Sequence, residues 1–275
     1  MYLAIDIGGT KTLLAVFSGS GKLLESLRFE TPQDYPEFLE EIKNTFEKLT
    51  HRAGLKFCVA GAPGRIDRKT QSVIAFGNLP WEDVAIGAAI EEICGIPATL
   101  ENDANLAGLS EAILIQHAYK KVLYVTISTG IGGIIIIDGV IEPEYADMEF
   151  GHMMFEHDGK LQHWQDFASG KAISKKYGKR ASDIPAEDSG TWYAISRNIA
   201  LGLTGVIANL TPEVIVIGGG VGTHFDKYAD QLHEELMLFG SKLVSVPPLR
   251  EAIRAEEAVI YGCYELALQQ HKAKK

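Results

Sequence analysis

Apolar and polar positions alternate from the first residues of the chain. Residues 2–7 and 12–17 are apolar runs separated by Gly-Gly-Thr-Lys, which predicts a β-hairpin with Gly8 and Gly9 supplying the tight turn. A third strand is expected over 22–29. Between 36 and 52 the period changes. Phe38, Leu39, Ile42, Phe46 and Leu49 fall at helical spacing behind a proline, so a helix is predicted there. Residues 55–60 read as a buried strand leading into Gly-Ala-Pro-Gly, 83–93 as a helix, and 98–100 as a short strand ending in Glu-Asn-Asp-Ala-Asn. A further helix is predicted over 104–117. Then the opening pattern returns as a weak internal repeat: a strand over 122–128, the turn Thr-Gly-Ile-Gly-Gly, and a strand over 134–137. Residues 191–210 predict a long helix, 214–217 a strand running into Gly218-Gly219-Gly220, and 255–270 a closing helix. Strands and helices alternating in this way read as α/β.

Composition narrows the class. A chain of 275 residues, 46% hydrophobic and 23% charged, has enough apolar material for two lobes of a globular protein. The formal net charge of −10 argues against nucleic-acid or anionic-membrane partners, which need clustered Lys and Arg. The longest apolar run, around Ile134 to Ile137, is far too short to span a bilayer. Cys58, Cys94 and Cys263 are odd in number and far apart in apolar contexts, which fits a reducing compartment. A cytoplasmic location is therefore expected.

Candidate chemistry gathers at the glycine turns. A glycine turn at a strand end brings backbone N–H groups together without side chains in the way, a geometry suited to phosphate. In Asp-Ile-Gly-Gly-Thr-Lys, Asp6 is placed to hold Mg²⁺ through water, and Thr10 and Lys11 to contact phosphate oxygens. The second turn adds Thr129, Gly130 and Gly132, and the third offers Gly219 and Gly220 as a flat backbone for an adenine or ribose. A plain connecting role explains any one such turn; three at strand ends favour a nucleotide. No G-x-G-x-x-G or G-x-x-x-x-G-K-[ST] pattern occurs at them. Asp103 has two readings, as an N-cap or as a carboxylate at a strand tip that takes a proton from a substrate hydroxyl positioned by Asn102. The stretch 149–170 sets His152, His157 and His163 among Glu149, Glu156, Asp158 and Asp166. It reads as a metal site, a substrate pocket or a solvated loop. The histidines do not share a helical face, and structural zinc sites favour thiolates.

In order along the chain, DIGGTK (6–11), GAPG (61–64), NLPW (78–81), ENDAN (101–105), STGIGG (128–133), EFGH (149–152), FASGKAI (167–173) and PEVIVIGGGV (212–221) resemble the motifs of the ROK sugar kinases, within the actin-like/hexokinase ATPase superfamily. The resemblance covers essentially the whole chain. It implies a two-lobed α/β fold of the actin-like/hexokinase (ribonuclease H-like) type with an inter-lobe cleft. The small lobe would comprise 1–105 with the final helix 258–275, and the large lobe 106–257. It also implies phosphorylation of a hexose, glucose by default, or an N-acylhexosamine, with ATP and Mg²⁺ as cofactors, in a homodimer. Carried over by position, Asp103 is the general base. Gly8 and Gly9 belong to the first phosphate turn, and Gly64, Arg65, Asn78, Asn102, Glu149, His152 and Gln165 form the sugar side. The family's cysteine-rich zinc motif has no counterpart, since no cysteine lies between 95 and 262, so zinc is not expected. Gln165 stands where the family carries a sugar-binding Glu, and Trp164 and Phe167 are expected to pack where zinc would have held the loop. His157 and His163 are then expected to be solvated. The alternatives are a sugar-responsive regulator, disfavoured by the acidic charge and by the start of the chain at its first phosphate strand, and a catalytically weak sugar-binding protein.

Overall fold

The computed structural model describes residues 1–77, 79–240, 243–254 and 257–273. The chain divides into two compact units, Met1–Ser110 with Glu257–Lys275, and Glu111–Glu256.

In the first unit the strands are β1 (Tyr2–Ile7), β2 (Lys11–Phe17), β3 (Leu23–Glu30), β4 (Phe57–Ala62), β5 (Arg65–Asp67), β6 (Ser72–Ala75), β7 (Glu82–Val84) and β8 (Ala98–Asn102). Its helices are α1 (Tyr35–Lys48), α2 (Ile86–Cys94), α3 (Asp103–Ile115), whose last turns pass into the second unit, and the C-terminal helix, numbered α9 (Ala258–Ala273) in chain order. The main sheet runs β3-β2-β1-β4-β8, with β1 antiparallel to β2 and parallel to β4. β1 is buried on both faces. Leu3, Ile5 and Ile7 join Phe38 and Ile42 of α1 in one core, while the Tyr2 ring lies 5.8 Å from Tyr264 of α9. α1 buries the apolar face that its spacing predicted, and Asp34, not singled out in the sequence, caps it by accepting from Glu37 N at 3.1 Å. The small sheet β5-β6-β7 departs from expectation, because residues 83 and 84, predicted to open a helix, belong to β7 with Asp83 at φ 52°, and α2 begins only at Ile86.

The second unit holds β9 (Lys121–Ile127), β10 (Ile131–Ile137), β11 (Val140–Ile141), β12 (Met154–His157), β13 (Lys160–His163), β14 (Val214–Gly218) and β15 (Leu249–Glu251). Its remaining helices are α4 (Trp164–Ala168), α5 (Gly170–Tyr177), α6 (Ser189–Leu210), α7 (Gly219–Gly222) and α8 (Ala229–Phe239). The sheet order β11-β10-β9-β14-β15 repeats the topology of the first: an antiparallel hairpin joined by parallel strands. The internal repeat seen in the sequence is thus a repeat of sheet architecture. Trp164, Trp192, Ile199 and Leu203 pack with Ile215 and Ile217 in the core of this unit.

Residues 154–163 form a hairpin rather than a solvated loop. Asp158 and Gly159 adopt φ 51° and 72°, the positive pair that a two-residue turn of this hand requires. No described helix is long and apolar enough to cross a membrane.

Candidate functional site

In the first unit the turn after β1 is tightly determined. Gly8 N donates to Lys11 O at 3.0 Å, and a Cβ on Gly8 would lie 2.8 Å from that same oxygen, so glycine is required. Thr31, buried at the end of β3, donates its hydroxyl to Gly8 O at 2.8 Å, and its N–H reaches Thr10 O at 3.0 Å. Thr31 is missing from the sequence-derived site because its partners lie more than twenty positions away. The turn leaves Thr10 and Lys11 exposed beside Gly9.

Asp6 is the next-to-last residue of β1 and is half-buried. Burial first, and then the neighbouring Asp103 carboxylate, push its carboxyl up to about 7. Asp6 and Asp103 are therefore close enough to feel each other, one at a strand end and the other opening α3. The capping role that Asp103 would otherwise fill is taken largely by Asn102, whose Oδ1 accepts from Ala104 N at 2.9 Å and Asn105 N at 3.2 Å. Asp103 Oδ1 also accepts from Ala104 N at 2.7 Å. Asn102 Nδ2 donates to Gly64 O at 3.0 Å, tying the Gly64–Arg65 segment to the same strand tip. Gly64 sits at φ 105°, and a Cβ there would run into the Ala75 carbonyl. Arg65 is exposed. Asn78 lies outside the described residues. Glu101 went unnoticed in the sequence, yet it is 5% exposed and accepts from Arg68 Nε at 2.8 Å, Asn102 N at 2.8 Å and Asn105 Nδ2 at 2.9 Å.

In the second unit, the turn at 128–130 is closed by Ser128 N donating to Gly130 O at 2.9 Å, and Gly170 N at the start of α5 donates to Ser128 O at 2.7 Å. Thr129 projects from this turn into solvent. Gly132 follows within β10. Gln165 lies directly over the turn: its Oε1 would be 2.8 Å from a Cβ on Gly130 and 3.0 Å from one on Gly151. Its Nε2 faces His152 Nε2 at 3.4 Å, an arrangement in which the amide donates to an unprotonated ring nitrogen. Glu149 precedes the 3₁₀ turn Phe150–His152 and is exposed, yet its carboxyl is raised by desolvation, which Asp147 reinforces and His152 offsets. Gly219, at φ 79°, packs against Ile127 O and Thr126 Oγ1, where a Cβ would come within 2.6 Å of each. Gly220 has open space above its Cα.

Within this unit, Gln165 thus lies against both Gly130 and His152. What holds them is packing and one amide. Trp164 is fully buried and donates Nε1 to Asn198 O at 3.0 Å; Asn198 Nδ2 donates to Phe167 O at 3.1 Å. His157 is not solvated: its ring stacks on Phe167 at 4.1 Å and its Nε2 lies 3.2 Å from Asn198 Oδ1. His163 caps α4, and its Nδ1 contacts His152 O at 3.0 Å. Neither histidine behaves as the free loop residue expected from the sequence. Among the described residues, no three His, Cys, Asp or Glu side chains group as a metal site would need.

The family model described as "ROK family" matches residues 2–270. An N-acetyl-D-glucosamine kinase of Haemophilus influenzae is 28% identical, with 98% of this chain and 99% of that protein covered. The crystal structure of a ROK hexokinase from Thermus thermophilus superposes with a TM-score of 0.82 at 27% identity, covering 99% of each chain. A ROK glucokinase from Streptomyces griseus, solved with glucose and AMPPNP, superposes with a TM-score of 0.81 at 23% identity, covering 98% of this chain and 99% of that one. The fold is therefore the α/β actin-like/hexokinase type, and the chain belongs to the ROK family.

Proposed function

We propose that this protein is a sugar kinase that transfers the γ-phosphoryl group of ATP to a hydroxyl of a hexose or N-acylhexosamine, glucose being the first sugar to test. The observation that carries the reading is Asp103. It is a carboxylate at a strand tip whose capping duty falls largely to Asn102, and it lies close enough to Asp6 to add to the rise that burial first imposes on that group, to about 7. Such a carboxylate is suited to take the proton of an attacking hydroxyl. The names of the relatives support both acceptor classes, one acting on N-acetyl-D-glucosamine and another solved with glucose and an ATP analogue.

The remaining residues divide the work. The Gly8 amide closes the first turn on Lys11 O, which leaves the amides of Gly9, Gly130 and Gly132, with Thr10, Lys11 and Thr129, to hold phosphate oxygens, while Gly219 and Gly220 present backbone to the nucleoside. Asn102, Gly64, Arg65, Glu149, His152 and Gln165 orient sugar hydroxyls, with Asn78 as a further proposed ligand. The mutual repulsion of Asp6 and Asp103 suits a dication, and Asp6 would hold it, directly or through water. Mg²⁺, when bound, neutralises charge on the phosphates.

Coupled ADP release across hexoses and N-acetylhexosamines tests the reading. Sugar-dependent turnover is the expected result. Measurable sugar binding with no turnover on any acceptor would instead make the protein a sugar-binding or regulatory member of the family.

A further inference from the structure

We propose that Glu101 and Arg68 form a positioning pair that sets Asp103 and locks it to the Gly64–Arg65 segment, an inference that rests on the kinase reading of Asp103. Glu101 Oε1 receives Asn102 N and Asn105 Nδ2, at 2.8 and 2.9 Å. These donors bracket Asp103 on both sides, so one buried oxygen clips the strand-to-helix turn from which the base projects. The guanidinium of Arg68 grips the same carboxylate as a fork, Nε to Oε2 at 2.8 Å and Nη2 to Oε1.

Arg68 directly follows β5, and its turn is strapped to β8 a second time. Gln71 Nε2 donates to Arg68 O at 2.7 Å, and Gln71 Oε1 accepts Leu100 N at 2.6 Å. At the other end of β5, Asn102 holds Gly64 O. The strand carrying Arg65 is therefore fastened at both ends to the residues flanking the base, so the two move as one body.

Stability alone does not account for the pair. A buried ion pair commonly contributes no more than well-packed apolar residues of the same volume, whereas its directional bonds fix a geometry that apolar contacts leave free. Supporting groups of this kind typically carry about 10- to 100-fold of activity.

The test compares wild type with Glu101→Gln, Arg68→Lys and the apolar pair Arg68→Met with Glu101→Leu. Thermal unfolding, the kcat and KM values for sugar and nucleotide, and amide exchange at Ala104 and Asn105 are read on each. Expected is a fall in kcat of about 10- to 100-fold in the apolar pair with nucleotide KM and unfolding temperature held, partial recovery in Arg68→Lys, and faster exchange at both amides. An apolar pair that folds and keeps kcat within about threefold of wild type, with exchange unchanged, overturns the proposal. A wild type that turns over no sugar sinks the kinase reading instead. Exchange at the two amides then still decides whether the clip exists.

Discussion

Two carboxylates, Asp6 and Asp103, carry the sharpest expectations at the scale of single residues. Asp103→Asn keeps the size of the side chain and removes its capacity to accept a proton. Sugar and nucleotide binding, measured by calorimetry, are expected to persist while phosphorylation drops by about 10²- to 10⁴-fold. Turnover retained within about tenfold would take Asp103 out of the role of base. Asp6 makes a prediction that needs no substrate. Its carboxyl is raised from 3.8 to about 7, by burial first and by Asp103 second. Between those values the folded state keeps a proton that the unfolded chain has already released. Stability contributed by this group therefore declines as pH rises through that window and levels off above about 7. Asp6→Asn resembles the neutral acid, so it should match wild type only below about pH 4, where the carboxyl is protonated in both states, and exceed it increasingly up to about pH 7, by an amount on the order of a few kcal/mol at pH 8. Urea unfolding with a chelator present measures both. Equal stabilities at pH 8 would show that the Asp6 carboxylate is not strained by its surroundings.

At the scale of elements, what could be read from the sequence was what is determined locally. α1 announces itself through Pro36 and an apolar stripe at helical spacing, and the β1–β2 hairpin through its two glycines. Asp103 and the glycine turns stood out for the same reason, since acids and glycines at strand ends are visible one segment at a time. Thr31, Glu101, Arg68 and Asn198 did not, because each acts on a partner brought close only by the fold. The β12–β13 hairpin is an instructive miss. Asp158-Gly159 between two four-residue strands is a hairpin signal, but the histidines around it drew attention to metals and solvent. Asp83 misled in another way: its positive φ belongs to a strand entering α2, and apolar periodicity does not report φ. Asn198 now supports a prediction. It joins α6 to His157 and Phe167 through its side chain, and to Trp164 through its carbonyl. Asn198→Ala leaves the Trp164 bond and orphans the Phe167 carbonyl, a cost of about 1–3 kcal/mol. Because α4 carries Gln165, the sugar KM is expected to rise while the nucleotide KM stays constant. Steady-state kinetics with each substrate varied in turn would separate that outcome from a general loss.

At the scale of the whole molecule, the chain builds one sheet topology twice, yet the two copies are completed differently. The first unit borrows its final layer from the far end of the chain. α9 lays Ala258, Ile260, Cys263, Tyr264 and Ala267 into the interior of that unit. The Tyr264 ring lies 5.3 Å from Phe17 and 5.8 Å from Tyr2, Cys263 Sγ approaches Ile5 O at 3.7 Å, and Gly262 admits the Leu106 backbone so closely that no side chain would fit. Thr99 adds a hydroxyl donated to Gln270 Oε1 at 2.7 Å. Fully burying a large apolar side chain contributes roughly 1.5–3 kcal/mol, and a domain is stable by only about 5–15 kcal/mol in total. Ending the chain at residue 257 strips α9 from β1 and β4, so the loss is comparable to everything that keeps this unit folded. The truncated protein is expected to show collapsed near-UV circular dichroism and unprotected amides across β1–β4, with protection of β9, β10 and β14 retained. Protected β1 and β4 amides in that truncation would mean that the α1-facing core of the sheet suffices alone, and that α9 serves only as a cover.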